Sequence, residues 1–161
     1  MFQTMRCRAG TLPLTLLICM AACANRTPTD GLAADQAEKN AVAQTMRDWA
    51  HAYITHDQAL LDRVRAPDWV YSGEPSGALI TKPEADKTFQ TDTSIHYTAF
   101  DDDDLNVRLY GSTAVVNARE NIRWEAGGKP GSESYRVTAV FVKQQGQWRC
   151  VASHSSPITA K

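Results

Sequence analysis

The chain has 161 residues, 17 Lys+Arg against 18 Asp+Glu, a net charge of −1, and 43% hydrophobic residues. That length and apolar content suit one packed core and exclude a two-domain enzyme, a coiled coil and a disordered chain. The balanced charge excludes a nucleic-acid binder, which needs a basic face to displace counterions from phosphates.

The chain opens on a leader. Arg6 and Arg8 give it a positive start, and Leu12 to Met20 is an apolar run interrupted only by Pro13 and Thr15. The run is too short to span a bilayer and reads as a secretory signal over residues 1–22. Met20-Ala21-Ala22-Cys23 closes it. Two small residues before a cysteine are similar to the bacterial lipobox, in which the cysteine is lipidated and becomes the mature N-terminus. The usual leading Leu is Met here. Ordinary cleavage after Ala22 or Ala24 is the alternative. On the lipobox reading Cys23 is the lipidation site, and Ala24 in place of Asp directs the chain to the outer membrane, facing the periplasm. The lipid is then the only membrane contact. Residues 23–32, with Pro28, Asp30 and Gly31, form a polar tether. Cys7 and Cys19 fall within the leader, so Cys150 stands alone in the body and reads as a small buried hydrophobe.

The domain proper spans residues 33–158. From about Ala33 to His56, Val42, Met46, Trp49 and Tyr53 recur at helical spacing and predict a long amphipathic helix. Asp57 is a natural N-cap for a short second helix with Leu60, Leu61 and Val64 on its apolar face, ended by Pro67. Trp69 to Ser72 predicts a strand, Gly73 to Gly77 a turn, and Leu79-Ile80 another short strand. Lys82-Pro83-Glu84 opens a third helix, with Pro in the first turn and an acid complementing the dipole. Five strands follow: Ser94 to Phe100, Leu105 to Tyr110, Thr113 to Trp124, Ser134 to Gln144 and Trp148 to Ser156. Asp101 to Asp104 reads as a solvated hairpin turn, because it lacks the alternation, central Gly and distal Glu of a calcium loop. Helices first and an antiparallel meander after them give an α+β domain with helices on one face of the sheet.

Strand parity selects the candidate chemical groups. Along Ala114 to Trp124 one face carries Ala114, Val116, Ala118, Glu120, Ile122 and Trp124, an apolar set interrupted by Glu120. On the last strand Trp148, Cys150, Ala152 and His154 share a face. A carboxylate and an imidazole pointing inward could act together as a general base, and these two are the candidate catalytic residues. Alternatively each is a satisfied core group, Glu120 paired with an Arg and His154 bonded to a carbonyl. A β-bulge in either strand would reverse the parity. Trp49, Tyr53, Trp69, Tyr71 and Trp124 are candidates to line a pocket for a flat or hydrophobic molecule, with plain core packing as the alternative. His51, His56 and His96 have no metal-ligand spacing, and neither a phosphate loop nor a nucleophile elbow is present. No metal and no cofactor are expected.

The order of elements resembles the nuclear-transport-factor-2-like superfamily, in particular its SnoaL-like and ketosteroid-isomerase-like branch of small secreted domains. Asp57, Trp69-Val70-Tyr71 with Pro75-Ser76-Gly77, the run Leu105 to Val116 and the ending Gln147 to Ser156 carry the resemblance. It implies a cone: a curved antiparallel or mixed sheet wrapped around the long N-terminal helix, two further short helices, a pocket at the open end, and a homodimer formed through the sheet. Ketosteroid isomerases use a helix-one Tyr and an Asp before the first turn. Trp49 and Ser72 fall near those places, with Glu74 two residues on, so steroid isomerisation is not expected. The reading that follows is an envelope-anchored domain binding a small hydrophobic or aromatic molecule. Its alternative is a cofactor-free isomerase, dehydratase or hydrolase using Glu120 and His154. A third, an interaction module, requires an exposed apolar patch on the convex face.

Overall fold

The computed structural model describes residues 28–159. The leader, Cys23 and the start of the tether lie outside the described residues. Helix α1 (Pro28–Thr55) begins within the expected tether, so Pro28 to Leu32 are helical. Pro suits a first helical turn, where its missing N–H needs no partner. Gly31 to Ala37 are all exposed, and packing begins at Glu38. Val42 and Met46 are buried as the spacing predicts, Trp49 and Tyr53 are partly buried, and Ala52, outside that set, is buried as well. His56, at φ 54, ends the helix in the left-handed conformation, and the Asp57 N–H returns to the Ala52 carbonyl at 2.9 Å. Asp57 then caps α2 (Gln58–Val64), its carboxylate accepting from the Leu60 N–H at 2.9 Å.

Strand β1 (Arg65–Tyr71) starts directly after α2, two residues before the Pro67 expected to end that helix. Pro67 sits where the pairing of β1 is irregular, a position at which no ladder donor is lost. The short β2 (Ile80–Thr81) leads into α3 (Lys82–Thr91), whose Glu84 carboxylate accepts from the Thr81 N–H and hydroxyl at 2.8 and 2.7 Å. The long strands β3 (Ile95–Tyr110), β4 (Thr113–Ala126), β5 (Lys129–Gln144) and β6 (Gln147–Pro157) complete one six-stranded sheet, ordered β2-β1-β6-β5-β4-β3. Only β1 and β6 pair in parallel, so the sheet is mixed. It is curved and unclosed, with α1 against its concave side, the α+β cone expected.

The expected hairpin at Asp101 to Asp104 is not there: these residues belong to a continuous β3. Asp101 and Asp103 face outward, where Arg123 meets Asp101 at 3.0 Å and the Asn121 amide meets Asp103 at 2.7 Å. Cross-strand partners of this kind make an acidic run tolerable in a strand. A register shift between Asp103 and Asn106, with Asp104 at φ 54, absorbs the extra residues.

The core divides in two. Val42, Met46, Trp69, Phe141, Trp148 and Cys150 belong to the larger cluster, between α1 and the sheet. Ala52, Leu60, Leu61 and Phe89 join the three helices. Cys150 is fully buried, which pushes its thiol up to about 12. The exposed large apolar residues are Leu32, Leu79, Ile95, Tyr110 and Ile158, on α1, the β1–β2 loop, the two ends of β3 and the tail. None of them lies in the middle of the sheet.

One ion-pair network fastens the helices to β1. The Arg65 side chain has 0% exposure and donates to Asp86 at 2.6 Å, while its Nε and Nη1 have no hydrogen-bond partner. Its guanidinium carbon lies 4.9 Å from the centre of the Trp69 ring. Lys82 bridges Asp62 and Asp86, at 2.6 Å each. Asp86→Ala strands the buried guanidinium and is expected to cost about 3–5 kcal/mol. Arg65→Met leaves Asp86 with Lys82 and an apolar side chain in an apolar place, and is expected to cost clearly less. Urea denaturation of both variants checks the order; equal losses would refute the asymmetry.

Candidate functional site

A cavity of about 260 Å³ lies between α1 and the concave face of the sheet. The 3.6-residue period of α1 brings Met46, Trp49 and Tyr53 to it on one face, with Ala50 beside them. Tyr71 comes from β1, and Tyr97 and Phe100 from β3. Alternation on β4 and β5 supplies Glu120 and Ile122, then Tyr135 and Val137. Residues 153–155 of β6 close the lining. Tyr53, Tyr97 and Phe100 form a packed trio, with ring centres 5.1 to 5.5 Å apart. The Tyr71 hydroxyl and Ser155 Oγ share a hydrogen bond of 2.7 Å.

Glu120 is the charged group of this wall. Among the described residues no hydrogen bond or ion pair holds its carboxylate, and burial, with a smaller push from Asp102, raises it to about 7. Asp102 stands directly opposite it in the β3–β4 register. Burial, then Asp101 and Asp103, raise Asp102 to about 6, and one of its carboxyl oxygens is buried without a partner. Across the ladder Asp102 thus adds to the rise of Glu120. Tyr53 and Tyr97 are pushed above the ordinary phenol value, chiefly by burial, and stay protonated as hydrogen-bond donors. Tyr135 is raised as well, by burial first and then by its hydrogen bond to Glu133.

Among the described residues no hydrogen bond or ion pair joins Glu120 to His154, and the inward parity read for His154 is altered by a bulge. Phe141 pairs with Cys150 but Val140 pairs with Ala152, so Val151 is an extra residue on β6. The Cys150 thiol donates across this bulge to the Ala152 carbonyl at 3.3 Å. Beyond it the inside and outside of β6 are exchanged. Ser153 and Ser155 pair with inward Ala139 and Val137, and Ser153 is buried. His154 pairs with Thr138, which bonds Asn117 on the outer face. The exposed imidazole is held at its Nδ1 by Ser72, 3.1 Å from the carbonyl and 3.3 Å from the hydroxyl, and His154 also lines the cavity.

Three of the five expected pocket aromatics, Trp49, Tyr53 and Tyr71, line the cavity. Trp69 stands behind it, edge-on to Trp49 at 5.9 Å and stacked on Tyr71 at 6.4 Å. Trp124 lies over Gly131 on the neighbouring strand, outside the cavity lining; a Cβ at Gly131 would sit 2.5 Å from its ring. Sequence reasoning missed the lining residues Tyr97, Phe100, Tyr135, Ser153 and Ser155, and Asp102 opposite Glu120 in the ladder. For Tyr135 the signal was present, since it shares parity with Val137 and Ala139. A second hollow of about 450 Å³ shares Tyr53, Tyr71 and Tyr97 with the first and adds Trp69, Phe89, Glu74 and Asp92. Among the described residues no group of three or more His, Cys, Asp or Glu is placed to hold a metal ion.

The family model described as the SnoaL-like domain matches residues 42–160. No curated protein matches the chain. Among solved structures, a nuclear-transport-factor-2-like protein of Cytophaga hutchinsonii is similar at 20% identity and a TM-score of 0.67, over 74% of this chain and 98% of that one. A nuclear-transport-factor-2-like protein of unknown function in nutrient uptake, from Rhodospirillum rubrum, reaches 25% identity and 0.65, over 73% and 98%. The CaMKII hub of S. rosetta reaches 22% and 0.62, over 74% and 95%.

The carboxyl carbon of Glu120, followed by ¹³C NMR, is expected to titrate near pH 7, and Asp102→Asn to lower that midpoint. From pH 4.5 to about 7 the folded chain keeps a proton that the unfolded chain has released. Stability is therefore expected to fall as pH rises through that window, by a loss on the order of 2 kcal/mol. Glu120→Gln removes this dependence, and the variant gains on the parent between pH 4 and pH 8. Parallel stability curves for the two proteins would contradict the assignment.

Proposed function

The chain belongs to the SnoaL-like family, and from that premise and its cavity we propose that it binds a small apolar or aromatic molecule between α1 and the sheet. The observation that carries this reading is Glu120, a carboxyl without a partner on a wall of rings and hydroxyls. A core group kept only for packing would be paired or replaced by an apolar residue, because an unpartnered buried carboxyl lowers stability. The rings give contact area, and the phenols and serines give a few fixed hydrogen bonds, the composition usual for ligand sites.

Acid–base chemistry is the second reading, favoured by one property of Glu120. A carboxyl titrating near neutrality is matched to moving protons at physiological pH. It would support a cofactor-free isomerisation, dehydration or hydrolysis with Glu120 as the base and a buried phenol as donor. His154 lines the same cavity, held at its Nδ1 by the Ser72 carbonyl.

The envelope location belongs to the same proposal and is supported by the leader and by Cys23. Pairing of two copies through the outer face of the sheet extends it, supported by the likeness to a hub domain.

Ligand-observed NMR of the purified chain with small aromatic fragments is expected to show binding that perturbs Tyr53, Tyr97 and Glu120, and Tyr53→Ala to weaken it at least about tenfold. Fragments that leave all three residues unperturbed would overturn the binding reading. Separately, Cys23→Ala is expected to move the protein from the membrane fraction to the soluble periplasmic fraction. An unchanged distribution would remove the lipid anchor from the proposal.

A further inference from the structure

We propose that the ligand of this cavity is an organic cation, a protonated or quaternary amine, held over the aromatic rings with its charge toward Glu120. The proposal rests on the binding reading above and narrows its ligand class.

Three observations meet here. The first is the wall itself: Tyr53, Tyr97 and Phe100 already pack ring to ring, and Trp49, Tyr71 and Tyr135 surround the same space. The faces of such rings carry negative charge density and attract a cation once water is excluded. The second is the sign of the fixed charge. No Lys or Arg lines this cavity or the adjoining hollow among the described residues; the acids are Glu120 in the first and Glu74 and Asp92 in the second, and the other titratable side chains besides the tyrosines are His154 in the first and His56 and His96 in the second. The third is that the Glu120 carboxylate is free, with neither hydrogen bond nor ion pair among the described residues to compete for it.

Fixed positive charge near the site does not offset this. The field of the buried Arg65 reaches Tyr53, but Arg65 already holds Asp86 at 2.6 Å. Around Glu120 stand the phenols of Tyr53 from α1, Tyr97 from β3 and Tyr135 from β5, the Asp102 carboxyl from β3 and the His154 imidazole from β6. The phenols and the carboxyl carry no positive charge, the imidazole is held at Nδ1 by Ser72, and the field of Arg47 falls on Asp102. An anionic ligand would meet Glu120 with nothing to neutralise it, and a neutral one would leave the carboxylate unpaired in the bound state. A cation satisfies it and adds the ring faces, so the site discriminates by charge rather than by shape alone.

The test uses three molecules of one shape: choline, its uncharged isostere 3,3-dimethylbutan-1-ol and the anion 3,3-dimethylbutanoate. Each is titrated into the full-length purified chain by calorimetry at pH 8.5, above the Glu120 midpoint. Choline is expected to bind at least about tenfold more tightly than the alcohol, and the anion most weakly. In Glu120→Gln, checked for an unchanged circular dichroism spectrum, the choline advantage over the alcohol is expected to fall below about threefold. Equal or tighter binding of the alcohol or the anion would overturn the cation proposal and leave the binding reading in place. Failure of all three to bind would overturn the cation proposal, and the aromatic-fragment titration separately decides the binding reading. A choline preference that survives Glu120→Gln would also overturn the proposal, since the carboxylate would then not be its source.

Discussion

A guanidinium with no exposure to water is the constraint around which the domain is arranged. Arg65 is the residue at which α2 becomes β1, and its backbone N–H closes the helix onto the Leu61 carbonyl. Its side chain is locked by Asp86 on α3, and Lys82 ties Asp86 to Asp62 on α2. Its flat face lies against Trp69, whose ring in turn meets Trp49 and Tyr71 on the cavity wall. A buried charge tolerates little displacement, because separation from its carboxylate exposes the full desolvation penalty. The helices, the first long strand and one side of the cavity are held by that intolerance.

The carboxyl groups of the two faces of the sheet are partnered differently. On the outer face the side chains cross-link from strand to strand: Arg108 to Asn117 to Thr138, and Asp103 to Asn121 to Ser134. On the inner face Glu120 goes without such a partner, and Asp102 keeps one oxygen unpaired. Adjacent positions on one strand, Glu120 and Asn121, thus have opposite fates. The ladder can supply partners to either face, so the vacancy beside Glu120 belongs to the cavity and not to any general shortage of hydrogen-bonding groups.

Most of the architecture was legible because it is periodic. The face of α1 containing Val42 and Met46, the cap at Asp57, the Pro83 helix start and the inward parity of β4 all follow from local rules. Two errors share one physical origin, an extra residue in a strand. Four consecutive aspartates looked like a turn because their cross-strand partners, Arg123 and Asn121, lie some twenty residues away and leave no mark on the local pattern. His154 was placed inside because alternation carries no memory of a bulge. Pro28 was assigned to the tether although its preference for a first helical turn pointed the other way. Part of the cavity was therefore visible: Glu120, Trp49, Tyr53 and Tyr71 came from the local pattern, whereas Ser153 and Ser155 depended on register.

The single extra residue at Val151 has a consequence for how such a site can change. Side chains beyond it owe their side of the sheet to a count of backbone units and not to their own chemistry. Loss of that one unit would restore simple alternation, turning Ser153 and Ser155 out and bringing His154 in toward Glu120. The same sequence, one residue shorter, would line its cavity with an imidazole in place of two hydroxyls. In this fold a deletion can thus rewrite the reactive groups of a cavity without a substitution, a route that comparison of residue types at aligned positions would not reveal.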